Sequence, residues 1–131
     1  MAGEAGEILA AAEFYDFDDK YRDGVSKTVT PADLTDAQVR EMRRIALATY
    51  RALRAEGLAR VDMFLEEDGR GFLVNEINTL PGFTSISMYP MMWQASGLGY
   101  GELLDEMIRL ALSRHARRRA APTAGGRQRQ R

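Results

Sequence analysis

Two apolar runs separated by a short polar loop constrain this chain more than any other feature. The first is Leu58-Ala59-Arg60-Val61-Asp62-Met63-Phe64-Leu65 and the second Phe72-Leu73-Val74-Asn75-Glu76-Ile77-Asn78. Between them lies Glu66-Glu67-Asp68-Gly69-Arg70, so the pair reads as a β-hairpin, with Gly69 free to take a positive φ. Arg60, Asp62, Glu76 and Asn78 occupy positions where a strand ordinarily holds Val or Ile. Residues two apart in a strand share a face, so Arg60 goes with Asp62 and Glu76 with Asn78. Carboxylates on a half-apolar sheet are costly unless a cation compensates them. Two carboxylates and an amide oxygen form a hard donor set that suits Mg²⁺, which takes few protein ligands and completes its shell from substrate phosphates. The pattern points to a metal–nucleotide site.

Register decides whether the four groups meet. A two-residue Asp68-Gly69 turn places Asp62 opposite Asn75 and leaves Glu76 on the wrong face. Pairing Asp62 with Val74 or Glu76 brings all four together, so a longer or bulged loop is expected. The alternative is a hairpin whose acids merely pair with Arg60. One guanidinium cannot neutralise two carboxylates, and that arrangement leaves Asn78 idle.

Beyond the hairpin, the loop Thr79-Leu80-Pro81-Gly82-Phe83-Thr84-Ser85-Ile86-Ser87-Met88-Tyr89-Pro90 continues a motif that closely resembles D-alanine–D-alanine ligases of the ATP-grasp superfamily. A second segment, Glu13-Phe14-Tyr15-Asp16-Phe17-Asp18-Asp19-Lys20-Tyr21, is similar to the active-site ω-loop of those ligases. The resemblance covers about residues 6–113, and against a whole ligase it is the C-terminal portion only. It implies an α+β fold, the C-terminal subdomain of ATP-grasp, with an antiparallel sheet packed by helices. It also implies ATP-dependent joining of two D-alanines through an acyl phosphate, for peptidoglycan precursor and cell-wall synthesis, with Mg²⁺ or Mn²⁺ as cofactor and ATP as substrate. Residue by residue, Asp62, Glu76 and Asn78 match the metal ligands, and Arg60 and the Gly82 N–H match oxyanion donors. Ser87 and Met88 match positions that bind the carboxylate of the second D-alanine. Lys20 and Tyr21 match loop residues that close over ATP and substrate.

Composition sets outer limits. The 131 residues suffice for one small domain, and 45% apolar with 28% charged residues is ordinary for a globular chain. The absence of cysteine excludes disulfides and thiolate chemistry, and a single His115 excludes a multi-histidine metal centre. No run is long enough to span a membrane and the N-terminus lacks a signal-peptide start, so a cytoplasmic protein without membrane partners is expected. The net charge of −1 hides an asymmetry: Ser113–Arg131 carries seven Arg and no acids, leaving a formal −8 on residues 1–112. Residues 114–131 are expected as a disordered Arg-rich tail after a domain spanning 1–113. The tail lacks aromatic residues for base stacking, and no nucleic-acid partner is expected.

The remaining elements follow from local signals. Glu7–Ala12 reads as a strand, Phe14–Ser26 as a loop and Lys27–Thr30 as an extended piece before Pro31. Thr35-Asp36-Ala37-Gln38 has capping-box spacing and opens a long helix, with Gly57 as its C-terminal stop. On that helix Arg40, Arg43, Arg44, Arg51 and Arg54 read as a solvated face. Pro90–Ala95 reads as a short helix, and Gly101–Leu112 as an amphipathic one using Leu104, Met107, Ile108, Ala111 and Leu112.

The departures from the family shape the functional expectation. The chain lacks the counterparts of the N-terminal substrate domain and most of the nucleotide lobe, and it has only Lys20 and Lys27 as lysines. It is therefore expected to need a missing N-terminal half, in cis or in trans, to be inactive alone, and to be a homodimer when complete. Two alternatives stand beside this: another ATP-grasp carboxylate–amine ligase, and a non-enzymatic remnant that binds Mg²⁺ or uses its Arg-rich tail for interaction.

Overall fold

The computed structural model describes residues 1–9, 27–84 and 86–120. Its elements are β1 (Glu7–Leu9), β2 (Lys27–Val29), α1 (Asp36–Ala52), β3 (Arg60–Glu66), β4 (Gly71–Asn78), α2 (Met88–Ala95) and α3 (Tyr100–Ala120). The strands form two separate antiparallel pairs, β1 with β2 and β3 with β4.

The β3–β4 hairpin owes its shape to one extra residue. Leu65 pairs with Phe72, Phe64 with Leu73 and Met63 with Val74. Beyond a bulge at Asn75, Asp62 pairs with Glu76, Val61 with Ile77 and Arg60 with Asn78. In a regular strand Phe72 and Val74 would face opposite to Ile77. The bulge gathers all three on the side of Val61, Met63 and Leu65, and sends Glu76 and Asn78 to the side of Arg60 and Asp62. The irregularity thus lies inside the ladder as well as in the four-residue connection between Glu66 and Gly71. The positive φ falls at Gly71 (71°), not at Gly69 as the sequence favours. Glu66 closes the connection by accepting from the Arg70 N–H and Nε at 3.2 and 2.7 Å, and these bonds hold its carboxyl below the usual range.

Helix α1 packs across β4 and β3. Its start is the expected capping box: the Gln38 N–H donates to Thr35 Oγ1 at 3.3 Å, and the Thr35 N–H donates back to Gln38 Oε1 at 2.8 Å. Its end differs from expectation. Arg54 takes the left-handed conformation (φ 51°) and the Ala55 N–H reaches back to the Tyr50 carbonyl at 3.0 Å, so the helix closes before Gly57 is reached. The Tyr50 hydroxyl then donates to the Gly57 carbonyl at 2.9 Å and ties the following loop to the helix. Arg43 leaves the solvated face assigned to it: it pairs with Glu4 at 2.5 Å and donates to the Gly3 carbonyl at 3.3 Å, clamping the N-terminal segment. That segment also donates from the Glu4 N–H to Ser96 Oγ at 2.7 Å, reaching the end of α2.

Helix α2 begins two residues before the expected Pro90, which sits in its first turn where a missing N–H costs nothing. Helix α3 finds its principal partner in α2, not in the sheet. Its inward face is Leu103, only 3% exposed, with half-buried Met107, Leu110 and Arg114. Met107 alone of the expected apolar face lies on it; Ile108 and Leu112 are 58% and 66% exposed. The apolar arc of α3 is wider than one helix neighbour covers. The helix also outruns Leu112 and continues to Ala120, so positions 114–120 are helical where a disordered tail was expected. Glu56 explains the extension: its carboxylate pairs with Arg114 and, at 3.6 Å, with Arg117, while Arg117–Arg119 oppose the negative helix end. Residues 121–131 of the expected tail lie outside the described residues.

Two stability outcomes follow. Arg54→Gly removes the Cβ crowding of a left-handed residue and raises unfolding free energy by about 0.5–1 kcal/mol in denaturant titration; a loss contradicts the C-cap geometry. The exposed α3 stripe promotes self-association, and the Ile108→Ser/Leu112→Ser double variant lowers it in sedimentation with little change in folding, about 0.5 kcal/mol or less per site. A wild-type chain that stays monomeric and melts cooperatively contradicts this.

Candidate functional site

The bulged register sets Arg60, Asp62, Glu76 and Asn78 on one face, with Asp62 directly opposite Glu76 and Arg60 opposite Asn78. Arg60 holds Asp62 in a two-pronged contact, Nε to Oδ1 at 2.7 Å and Nη2 to Oδ2 at 2.8 Å. The same guanidinium reaches Glu76 Oε1 at 4.0 Å. The contacts of the alternative reading are therefore present, yet they leave the trio of charges at a net −1. The carboxylates remain accessible, with side chains 32% and 54% exposed at Asp62 and Glu76. Asn78 is not idle: its Oδ1 accepts the Leu80 N–H at 3.0 Å and turns the chain out of the strand.

This donor set fits a hard divalent cation. Two opposed carboxylates are supplemented by an amide oxygen that keeps a second lone pair after bonding Leu80. Among the described residues no group of three or more His, Cys, Asp or Glu could hold a metal ion, so an ion here depends on ligands from elsewhere, as Mg²⁺ with phosphate oxygens does.

The Pro81–Ser87 loop borders these groups in sequence and brings the other expected residues. Pro81 is buried. Gly82 has no left-handed backbone; its need is space, because a Cβ there would lie 3.1 Å from Ser87 Oγ. Ser87 precedes α2 without capping it by its side chain. Its hydroxyl instead accepts the Thr84 N–H at 3.0 Å and shares a hydrogen bond with Thr84 Oγ1 at 2.8 Å, while its N–H donates to the Thr84 carbonyl at 3.0 Å. Met88 opens α2, and its side chain packs toward Gly6, where a Cβ would lie 2.6 Å from Met88 Cε. Packing occupies that side chain; its backbone N–H lies in the first helical turn, where donors lack intrahelical partners. Lys20, Tyr21 and the rest of the Phe14–Ser26 loop lie outside the described residues, as does Ser85.

An aromatic cluster that the sequence reading missed supports this loop. The Phe83 ring lies 5.3 Å from Tyr100 and 6.0 Å from Tyr89, and Tyr89 meets Trp93 edge-on at 6.4 Å. Burial pushes the Tyr89 phenol above its ordinary range. The Tyr100 hydroxyl donates to the Phe83 carbonyl at 3.1 Å across a separation of 17 residues, which no local pattern announces.

Comparison with known proteins adds independent findings. A family model described as D-ala D-ala ligase C-terminus matches residues 1–109. A D-alanine–D-alanine ligase of Solibacter usitatus is 52% identical over 115 residues, covering 88% of this chain and 35% of the relative. One from Streptomyces griseus is 58% identical over 106 residues, covering 81% of this chain and 27% of the relative. The chain thus spans about a third of the length of such relatives. Among solved structures, the D-alanine–D-alanine ligase of Bacillus anthracis complexed with ATP superposes with a TM-score of 0.72 at 33% identity, over 88% of this chain and 37% of its own. A D-Ala:D-Ser ligase of Enterococcus faecalis gives 0.72 at 38% identity, over 82% and 31%.

Proposed function

We propose that this chain, which belongs to the D-ala D-ala ligase C-terminus family, is the C-terminal catalytic portion of an ATP-dependent ligase that joins two D-alanines for peptidoglycan precursor synthesis. The observation that carries the reading is the direct opposition of Asp62 and Glu76, with Arg60 and Asn78 on the same face and the Pro81-Gly82 loop following. ATP as substrate is supported by the ATP-complexed neighbour, and D-alanine by the names of the relatives.

In the reaction, a carboxylate oxygen of the first D-alanine attacks the γ-phosphorus, the bond to the β-phosphate oxygen breaks, and ADP leaves. The amine of the second D-alanine then attacks the acyl carbon and the carbonyl electron pair moves onto oxygen. Collapse of that tetrahedral species re-forms the carbonyl and expels inorganic phosphate, and the ammonium loses a proton to give the dipeptide. Bound Mg²⁺ or Mn²⁺ would screen the phosphates and neutralise the charge that develops in transfer. Asp62, Glu76 and Asn78 would hold it. Asp62 has a second task, because its two-pronged contact fixes the plane of the Arg60 guanidinium. Arg60 and the Gly82 N–H are then donors for the oxyanion. Ser87 would exchange its bond to Thr84 for the carboxylate of the second substrate, together with the Met88 N–H. Lys20 and Tyr21 are proposed to close over ATP and substrate.

The remaining two-thirds of a ligase would supply the nucleotide-lobe lysines and the first-substrate pocket, in cis or in trans. No helix among the described residues is long and apolar enough to cross a membrane. A cytoplasmic site of action is part of the proposal. A second reading, with D-serine as the attacking amino acid, is favoured by the Enterococcus faecalis neighbour. Product mass separates the two.

The test pairs the 131-residue chain with a polypeptide carrying the part of the Solibacter usitatus ligase that precedes the match. The chain alone forms no D-alanine-dependent ADP, and the pair does. Asp62→Asn and Glu76→Gln each abolish ADP release, and Arg60→Ala lowers dipeptide formation by roughly 10²–10³. Wild-type turnover by both carboxylate variants, or dipeptide made by the chain alone, contradicts the assignment.

A further inference from the structure

We propose that Tyr100 is a positioning residue for ligation: its phenol holds the Phe83 carbonyl and so fixes the direction of the Gly82 N–H toward the oxyanion. The inference rests on the ligase reading above and adds a residue that neither the motifs nor the relatives assign.

Gly82 is the hardest residue in the loop to hold, because a glycine has the widest choice of backbone conformations. Its N–H is useful to an oxyanion only if it is aimed before the charge develops. The preceding side is held: Pro81 is buried with a ring-locked φ, and Asn78 Oδ1 fixes Leu80 by its N–H at 3.0 Å. The following side is held by Tyr100, whose hydroxyl donates to the Phe83 carbonyl at 3.1 Å while its ring lies 5.3 Å from the Phe83 ring. The Thr84 N–H of that same peptide donates to Ser87 Oγ at 3.0 Å, a bond that Ser87 gives up in the ligase reading when it turns to the second substrate, so Tyr100 is the hold that remains during ligation. With both flanks anchored, the peptide between them has less room to swing.

Tyr100 stands on a rigid base. It opens α3, where the Gly99 N–H donates to Glu102 Oε2 at 2.9 Å and the Leu103 N–H to the Gly99 carbonyl at 2.9 Å. Buried Leu103 seats this turn, and the Leu98 N–H donates to the Trp93 carbonyl at 2.9 Å, joining it to the end of α2. Tyr89, buried beneath Phe83, completes the frame. The phenol itself is partly exposed, so its loss should leave the global fold intact while releasing the loop.

Tyr100→Phe tests this, since it keeps the ring and removes one hydroxyl. In the 131-residue chain, the backbone ¹⁵N order parameters of Gly82 and Phe83 fall from the ordered range near about 0.85 toward about 0.6, while those of Leu103 and Met107 stay unchanged. In the reconstituted ligase, kcat for dipeptide falls roughly tenfold with KM for the second amino acid unchanged, and more ADP is released per dipeptide formed. Order parameters that do not move, or a variant with wild-type kcat and ADP-to-dipeptide ratio, overturn the proposal. So does a lowered melting temperature with ADP and dipeptide reduced in equal proportion, which marks a merely structural residue. A wild-type pair with no D-alanine-dependent ADP release refutes the ligase reading itself, and this role with it.

Discussion

The facing of Asp62 and Glu76 across the β3–β4 ladder is the constraint on which the rest depends. Two carboxylates set opposite each other repel, and Arg60 beside them offsets only part of that charge. Their accessibility makes the ion pair worth little to stability, so the arrangement is not explained by folding. On the proposed reading, a cation and a polyphosphate would offset that repulsion. The bulge at Asn75 reconciles this polar cluster with a foldable hairpin, because one extra residue lets Phe72, Val74 and Ile77 share a face without bringing Glu76 and Asn78 along.

From that strand end the site extends by short physical links. Asn78 turns the chain through Leu80, buried Pro81 leads to Gly82, and Phe83 is gripped by aromatic residues of α2 and α3. In the proposed reaction the two helices would serve chiefly as the wall behind this loop. On the far side of α3, Ile108 and Leu112 stay uncovered, at 58% and 66% exposure.

Much of this was legible in the residues. Alternation gave the shared faces of Arg60 with Asp62 and of Glu76 with Asn78, and the demand that four costly polar groups meet selected a register that includes the one observed. The capping box at Thr35 needed only a four-residue pattern. Other features depend on contacts that local patterns do not carry. Gly57 looked like a helix stop, but Arg54 takes the left-handed turn because the loop is pulled back by Tyr50. The inward face of α3 is set by α2, and periodicity could not choose between Leu103 and Leu104 on an arc apolar on both sides. Glu56 extends α3 through pairs with Arg114 and Arg117, residues more than 55 positions away. The roles of Ser87 and Met88 rest on the motif, since their side chains here serve a turn and a packing contact.

The most direct test of the account is the pairing at the bulge, read from cross-strand nuclear Overhauser effects in the isotope-labelled chain. The account predicts contacts of Asp62 with Glu76 and of Met63 with Val74, and no partner across the ladder for Asn75. An uninterrupted ladder that sets Asp62 opposite Asn75 would place Glu76 on the other face, and the proposed metal site would not exist.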